Sequence, residues 1–353
     1  MKPTIQNRLA WPGMLVLAAM AVLGMTRTAM AMAVDSAESP TLHTVATLNE
    51  NVRPAGIPAD YVVTPNGFFA AACVHHLQAG EKVLGDGSIK AADGTRRAVS
   101  ACTQPRFTRN GTRIDPNGAV TVPKSLAVSQ RRGSGSQPVN GWVIDSNYLS
   151  SVAIGNITSY WTVPAAPSNP NSNEYFFFFN GLEQNYNDPN VSQETILQPV
   201  LDWNNFGTGW HMSNWNCCLN GTEYYNGPFD VSSGDTIEGI VASTCGQDPC
   251  GDNSATVTSI DLTNGQNLAY QTDAYDALSW VFGGVMEAYN ISSCSQFANS
   301  SSLDFYDTTV RDVNGNLIAS PPFAAEVDTS STTLQCGYNY AVTPSSTTLY
   351  WTP

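Results

Sequence analysis

From Gly141 to the end of the chain, short runs of β-branched and aromatic residues follow one another. Examples are NEYFFFFNGL, ETILQPVLDW, DTIEGIVAS and SWVFGGVMEAY, and turns such as Asn264-Gly265 and Asn314-Gly315 separate them. Signals for helices are almost absent from this region. Many strands at short spacing, without intervening helices, predict an all-β fold, an antiparallel double-sheet sandwich over residues 141–353.

A smaller β-rich segment precedes the sandwich. From Tyr61 to Val122, β-like runs alternate with turns at Asp86-Gly87, Asp93-Gly94 and Asn110-Gly111, which predicts hairpins. The stretch SQRRGSGSQPVN, residues 129–140, has the composition of a flexible linker. We therefore expect an N-terminal segment over residues 32–128, joined to the sandwich by this linker.

The first 31 residues have the order of a secretory signal peptide. Lys2 and Arg8 precede an apolar stretch from Trp11 to Met25, and small residues end at Ala29-Met30-Ala31. No later segment holds the eighteen or so consecutive apolar residues that a membrane span needs. The sequence predicts a secreted protein, extracellular or periplasmic, which we expect to be a monomer.

Eight cysteines in an exported chain predict four disulfides. Cys245 and Cys250 are close enough in CGQDPC to close a short loop, and Cys73 and Cys102 stand alone in the N-terminal segment. Three pairings stay open for the other four cysteines, which are Cys217, Cys218, Cys294 and Cys336. No metal is expected, because His75-His76 beside Cys73 lack matching ligands.

Charge divides the chain into a basic and an acidic part. Residues 1–132 hold 14 of the 15 Lys and Arg residues, whereas residues 133–353 hold 21 of the 29 acids and only Arg311 as a base. Nucleic acid and anionic membrane are poor partners for such an acidic domain. The basic segment is interpreted either as a propeptide, released when acid protonates the carboxylates and cleavable at Arg131-Arg132, or as a permanent small domain.

Strand alternation separates two candidate catalytic side chains from the core. In ETILQPVLDW, the face with Leu197, Leu201 and Trp203 is apolar, which leaves Gln198 on the other. In SWVFGGVMEAY, alternation puts Trp280, Phe282, Gly284, Met286 and Ala288 on the core face and Glu287 opposite, among apolar neighbours. Such surroundings raise the pKa of a carboxyl group and make it a usable acid or base.

Five segments in order resemble the eqolisin family of glutamic peptidases. They are YWTVPAAPS (160–168), FFNGLEQ (178–184), ILQPVLDW (196–203), FDVSSGDTIEGIV (229–241), and VMEAY through QFAN (285–299). The resemblance implies a concanavalin A-like sandwich and an acid-acting endopeptidase that needs no cofactor. It also implies that Gln198 and Glu287 are the catalytic pair, in the groove of one curved sheet.

The same resemblance places Phe179 and Glu183 at substrate-binding positions, where the family has Trp and Asp. Trp203, Trp210 and Trp215 are candidates for an aromatic wall along a polypeptide substrate. Glu287 would take a proton from an attacking water and pass it to the leaving amine. Gln198 would donate to the developing oxyanion, and it does so at low pH because an amide does not titrate.

The sequence motifs of other peptidase mechanisms are absent from the chain. The chain has no Asp-Thr-Gly or Asp-Ser-Gly pair, no Gly-x-Ser-x-Gly and no His-Glu-x-x-His, and His211 is the sandwich's single histidine. Two alternatives stay open. One is a neprosin-like peptidase with two glutamates, the second being Glu183 or Glu194, and the other is a carbohydrate-binding or inert sandwich module.

Overall fold

The structure, a computed structural model, describes Pro54 and residues 56–109, 111–122, 139–170, 173–185, 195–247, 250–329 and 333–353. The predicted signal peptide, Glu194 and residues 123–138, with most of the predicted linker, lie outside these described residues. The last two linker residues, Val139 and Asn140, begin a strand. No helix in the described ranges is long and apolar enough to cross a bilayer.

The described residues form 23 strands and three short 3-10 turns. In chain order the strands are β1 (Tyr61–Thr64), β2 (Gly67–Ala70), β3 (Val74–His76), β4 (Lys82–Val83), β5 (Ile89–Lys90), β6 (Arg96–Arg97), β7 (Arg106–Phe107), β8 (Arg113–Ile114), β9 (Val120–Thr121), β10 (Val139–Leu149), β11 (Ile154–Thr162), β12 (Tyr175–Gln184), β13 (Ile196–Trp203), β14 (Trp210–Cys217), β15 (Glu223–Val231), β16 (Thr236–Ser243), β17 (Ala255–Asp261), β18 (Asn267–Thr272), β19 (Leu278–Ile291), β20 (Ser302–Asp312), β21 (Ala324–Val327), β22 (Asn339–Thr343) and β23 (Ser346–Tyr350). The 3-10 turns are Ala71–Cys73, Leu219–Gly221 and Cys294–Gln296.

Two large sheets build the sandwich, so the predicted all-β double-sheet fold is confirmed. One has eight strands in the order β21-β10-β19-β12-β13-β14-β15-β3, and the other has ten in the order β22-β23-β20-β11-β16-β17-β18-β4-β5-β6. Apolar side chains of both sheets fill the space between them, among them Phe176, Phe178, Trp161 and Phe305. This interior packing buries one face of each sheet.

The other face of the eight-stranded sheet is also buried. Phe177, Phe179, Val200, Trp215 and Tyr225 point to this side, where they pack against residues of the N-terminal segment. We call it the covered face, and the side toward the second sheet the core face.

Strand β19 changes face at Gly283-Gly284, which corrects one expectation. Trp280 and Phe282 were expected on the core face with Met286, but both pack on the covered face. The register of β19 slips between Phe282 and Val285 against β12, as in a β-bulge. One extra residue reverses the alternation, while the placement of Glu287 opposite Met286 and Ala288 holds.

The N-terminal segment is joined to the sandwich at several places. Its hairpin β1–β2 belongs to a separate five-stranded sheet with β7, β8 and β9. Strand β3 pairs in parallel with β15, and β4 pairs in parallel with β18, so the segment extends both sandwich sheets. The hairpins predicted at Asp86-Gly87 and Asp93-Gly94 are confirmed by the pairing of β4 with β5 and of β5 with β6. Strands β7 and β8, on either side of the third predicted turn, also pair, but Asn110 of that turn lies outside the described residues.

All eight cysteines are paired. The structure joins Cys73 to Cys102 and Cys245 to Cys250, which are the two pairings expected from the sequence. The open question for the other four is answered by a bond between the neighbours Cys217 and Cys218 and a bond between Cys294 and Cys336.

Candidate functional site

The two predicted catalytic side chains lie on the same face of one sheet. Phe177 of β12 pairs with Glu287 of β19 on one side and with Asp202 of β13 on the other. Paired residues in an antiparallel sheet point to the same side, and Gln198 lies four positions from Asp202 on β13. Gln198 and Glu287 therefore both point to the covered face, and both are fully buried there.

A second carboxyl group, which the sequence did not indicate, joins them. Gln198 pairs with Trp215, and Trp215 pairs with Tyr225 of β15. Glu223 lies two residues before Tyr225, so its side chain shares the covered face, and it is also fully buried. Its sequence context, NGTEYY, shows no alternation that would mark a buried carboxyl group.

The turn of hairpin β1–β2 is seated on these residues. The Asn66 amide donates from Nδ2 to Oε1 of Gln198 at 3.3 Å. The Thr64 hydroxyl donates to Oε1 of Glu223 at 3.0 Å. A segment of the protein's own polypeptide thus occupies the covered face and satisfies two of its polar side chains.

Glu287 lies among aromatic side chains. The Tyr289 hydroxyl donates to its Oε1 at 2.6 Å, and the Tyr289 ring lies 5.3 Å, centroid to centroid, from Phe68 of the hairpin. Burial raises the pKa of Glu287 to about 8, against the opposing effects of the Arg109 charge and the Tyr289 hydrogen bond. Beneath the hairpin this carboxyl group is therefore protonated at neutral pH.

The pKa of the Glu223 carboxyl group is raised in a similar way. Burial raises its pKa to about 8, although hydrogen bonds from Thr64 and Asn66 and the charge of Arg106 act in the opposite direction. The charge of Glu287 adds to the rise. Two coupled carboxyl groups with strongly raised pKa values on one face are typical of a functional site.

Each of the three side chains keeps one buried polar atom without a hydrogen-bond partner among the described residues. These atoms are Nε2 of Gln198, Oε2 of Glu223 and Oε2 of Glu287. An unpaired buried polar atom costs about 1–3 kcal/mol, and the covered face bears this cost at three side chains that point to the same side of the sheet. Together they offer one amide donor and two carboxyl oxygens to a ligand that takes the hairpin's place.

The other predicted site residues divide between the two faces. Phe179 and Trp215 lie on the covered face, and Glu183 lines a cavity between that face and the N-terminal segment. The prediction that Trp203 and Trp210 form part of a wall along the substrate is wrong. They pack on the core face against Phe176, because strand alternation turns them toward the second sheet.

Asp202, His211 and Ser213 form a polar cluster on the covered face, but not a nucleophilic triad. His211 Nδ1 lies 3.3 Å from Oδ1 of Asp202. Burial acts to lower the pKa of His211, but the hydrogen bond and charge of Asp202 outweigh it and raise that pKa. The Ser213 hydroxyl donates to the same Asp202 carboxylate at 3.1 Å. A serine held by the carboxylate rather than by the imidazole is not set up as a nucleophile.

Among the described residues, one group has the residue types of metal ligands, namely Cys217, Cys218 and Glu223, whose candidate ligand atoms lie within 4.8 Å of one another. The two sulfur atoms are bonded to each other. Metals bind the thiolate form of cysteine, so this group offers one carboxylate and no thiolate ligand.

No protein-family model and no curated protein sequence matches the chain. Among solved structures, the chain is similar to scytalido-glutamic peptidase bound to a peptide-based transition state analog, with a TM-score of 0.43 and 16% identity over 60% of this chain and 98% of that one. It is also similar to SCP-B, a member of the eqolisin family of peptidases, in complex with the tripeptide Ala-Ile-His, with a TM-score of 0.42, 16% identity and the same coverage. At TM-scores below 0.5 these likenesses are weak, and they assign no role to any residue of this chain.

Proposed function

We propose that the protein is a secreted glutamic endopeptidase, made as a zymogen whose N-terminal segment blocks its own active site. The observation that supports this most directly is the hairpin turn on the covered face, with Asn66 bonded to Gln198 and Thr64 bonded to Glu223. A surface that already holds a stretch of polypeptide through an amide and a carboxyl group has the chemistry to bind a peptide substrate. The four disulfides fit an oxidising compartment.

In this proposal Glu287 is the general base. As a carboxylate it takes a proton from a water molecule while the water oxygen bonds to the scissile carbonyl carbon, and it then gives that proton to the leaving amine. Gln198 donates through Nε2, which no described residue hydrogen-bonds beneath the hairpin, to the oxygen that becomes negative. The C–N bond breaks without a covalent enzyme intermediate.

The hairpin would inhibit this chemistry in two ways. It occupies the site, and it keeps Glu287 protonated, because burial raises the pKa of that carboxyl group to about 8. Removal of the segment would hydrate Glu287 and return its pKa toward the ordinary value near 4.5. The released enzyme would then have its base ionised in mildly acid solution, where the neutral amide of Gln198 still donates.

The test is cleavage of a denatured protein, measured over a pH range of about 3 to 6, by the full chain after incubation in acid, because a hydrated glutamate ionises across that range. We expect wild type to cleave, and Gln198→Ala and Glu287→Gln each to lose at least about a hundredfold in kcat/KM. Gln266→Ala, in an exposed turn, and Glu238→Gln, on the other sheet, are the matched controls. Cleavage at the wild-type rate by both Gln198→Ala and Glu287→Gln would refute the proposal.

A two-glutamate mechanism is the second candidate, and Glu223 is the observation that favours it. This carboxyl group contacts the same turn as Gln198, and its titration is coupled to Glu287. Loss of activity in Glu223→Gln, together with unchanged activity in Gln198→Ala, would support the two-glutamate mechanism over the mechanism that uses Gln198. Strong binding on a glycan array without any proteolysis would favour a carbohydrate-binding module instead.

A further inference from the structure

The N-terminal segment places an arginine side chain against the wall of the covered face. The guanidinium carbon of Arg109 lies 4.3 Å from the ring centroid of Trp142, a distance at which a cation is attracted by an aromatic face. Its aliphatic stem lies over Gly141, where an added Cβ would come within 2.7 Å of the Arg109 Cδ. A side chain at this position would therefore require the Arg109 stem to shift.

Carboxyl groups surround the position of this guanidinium. The charge of Arg109 acts on both Asp145 and Glu287 and lowers the pKa of each, against the effect of burial. Asp145 pairs in register with Glu326 of β21, so these two carboxyl groups are neighbours on one side of the sheet. We call the place formed by Gly141, Trp142 and Asp145 the cation slot.

The cation slot opens into a cavity of about 520 Å³ between the sandwich and the N-terminal segment. On the sandwich side, the carboxyl groups of Asp145, Glu183 and Glu326 line the cavity, and on the segment side Arg106 and Arg109 line it. Loss of the segment would remove both positive charges and leave an acidic, aromatic recess next to Glu287. Such a recess attracts a guanidinium or an ammonium group on a flexible stem.

We propose that the cation slot receives an arginine or lysine side chain of the polypeptide substrate, and that Arg109 occupies it as a substrate mimic in the zymogen. This inference rests on the proposed peptidase function for its substrate and on the seated Arg109 side chain for its chemistry. In this proposal, Trp142 and Asp145 determine the specificity for a basic side chain of the substrate.

Chemical rescue tests the slot without any need for catalysis. In full-length Arg109→Ala the slot is emptied while the hairpin stays in place, and we expect N-ethylguanidinium at millimolar concentration to raise the melting temperature. N-ethylurea, a neutral analogue of the same shape, should not do so, and neither compound should stabilise wild type, whose slot is filled. Asp145→Asn or Trp142→Leu in the Arg109→Ala background should weaken rescue about fivefold. Arg109→Gln serves if Arg109→Ala does not fold.

The specificity experiment compares cleavage sites in a peptide library for the acid-processed full chain. Wild type should prefer Arg or Lys at one fixed position relative to the cut, and Asp145→Asn should reduce that preference at least about threefold. Failure of rescue in a folded Arg109 variant overturns the proposal, and so does cleavage without any preference for a basic residue. Rescue without cleavage keeps the cation slot and refutes the peptidase.

Discussion

Both faces of the eight-stranded sheet are buried, but they differ in what covers them. The core face presents side chains such as Phe176, Phe178 and Met286 to a second sheet that is equally apolar. The covered face mixes Phe177 and Phe179 with buried Gln198, Glu223 and Glu287, and a hairpin from more than one hundred residues earlier in the chain covers it. Equal burial therefore has two different physical origins in one sheet.

The difference shows what each interface is built for. Apolar packing stabilises the core face, where the ring of Phe178 meets those of Trp210 and Trp351. The buried atoms that lack a hydrogen-bond partner there among the described residues include the neutral indole N–H groups of Trp161 and Trp210, and none that the eight-stranded sheet itself contributes belongs to a carboxyl group. The covered face keeps two carboxyl groups in their protonated forms. It also leaves buried polar atoms, among them an oxygen of each of these two groups, without a partner in the described part of the chain, at a cost of about 1–3 kcal/mol for each atom. These costs destabilise the covered state, and only a hairpin, not a whole sheet, has to leave to relieve them. The covered face is therefore suited to being uncovered.

The largest expected effect is the pH dependence of stability. Glu223 and Glu287 have pKa values of about 8 when folded and near 4.5 when unfolded. Folding therefore takes up protons between these values, so the free energy of unfolding is greatest below pH 4.5 and falls by several kcal/mol as the pH rises to 8. Urea unfolding of the full chain across this range measures it.

Two substitutions check this pH dependence, Glu223→Gln as the test variant and Glu238→Gln as its control. The first removes a buried titrating group and should flatten the profile, whereas the second should leave its slope unchanged. A stability that rises from pH 4.5 to pH 8 would contradict the buried-carboxyl account. The stabilisation by acid that we expect from these two groups opposes release of the segment by acid alone. We therefore expect processing in acid to depend on cleavage of the polypeptide rather than on protonation of Glu223 and Glu287.

A pair of phenylalanines separates the two interfaces directly. Phe178 is fully buried on the core face, and Phe68 of the hairpin is fully buried on the covered face. Each change to alanine should cost about 3–5 kcal/mol of unfolding free energy in the full chain. After acid processing has removed the hairpin, Phe178→Ala should still be less stable than processed wild type. Processed Phe68→Ala should have the same melting temperature as processed wild type. Equal destabilisation of both processed variants would show that the hairpin is a permanent part of the fold.

Local sequence pattern predicted the strands that carry most of the candidate site. Runs rich in β-branched and aromatic residues became β12, β13 and β19, and alternation placed Gln198 and Glu287 away from the core. The same rule failed for Trp280 and Phe282. The bulge at Gly283-Gly284 reversed their direction, and a simple count of two residues cannot anticipate it.

The rest of the site depends on distant parts of the chain. Strands β14 and β15 come from WHMSNWNCCLNGTEYYNG, where Asn, Cys and Gly interrupt any alternation. Glu223 is buried because Thr64, 159 residues away in sequence, lies on it. No local pattern encodes a contact of that range, so the sequence predicted a basic segment and an acidic domain without showing which residues meet.

A smaller effect is expected where the hairpin turn contacts the site. Asn66→Ala removes the donor to Gln198, and Thr64→Val removes the donor to Glu223. Each should lower the stability of the full chain by about 1–2 kcal/mol and speed acid processing in proportion, since only the covered state loses the bond. Processing followed by gel electrophoresis measures the rate, with exposed Asn267→Ala as the control. A processing rate equal to wild type in both variants would show that the turn does not govern release.

The smallest effect is expected at the ion pair that links the segment to the ten-stranded sheet. Lys82 Nζ lies 2.7 Å from Oδ2 of Asp273 and also donates to Ser254. In Lys82→Met the Asp273 carboxylate keeps the hydrogen bond from Ser254, so the loss should stay below about 1 kcal/mol, and it should shrink further in about 1 M salt. Lys90→Met, at an exposed position, is the matched control. A loss above about 2 kcal/mol in Lys82→Met alone would mean that charge pairing, rather than burial of the hairpin, holds the segment on the sandwich.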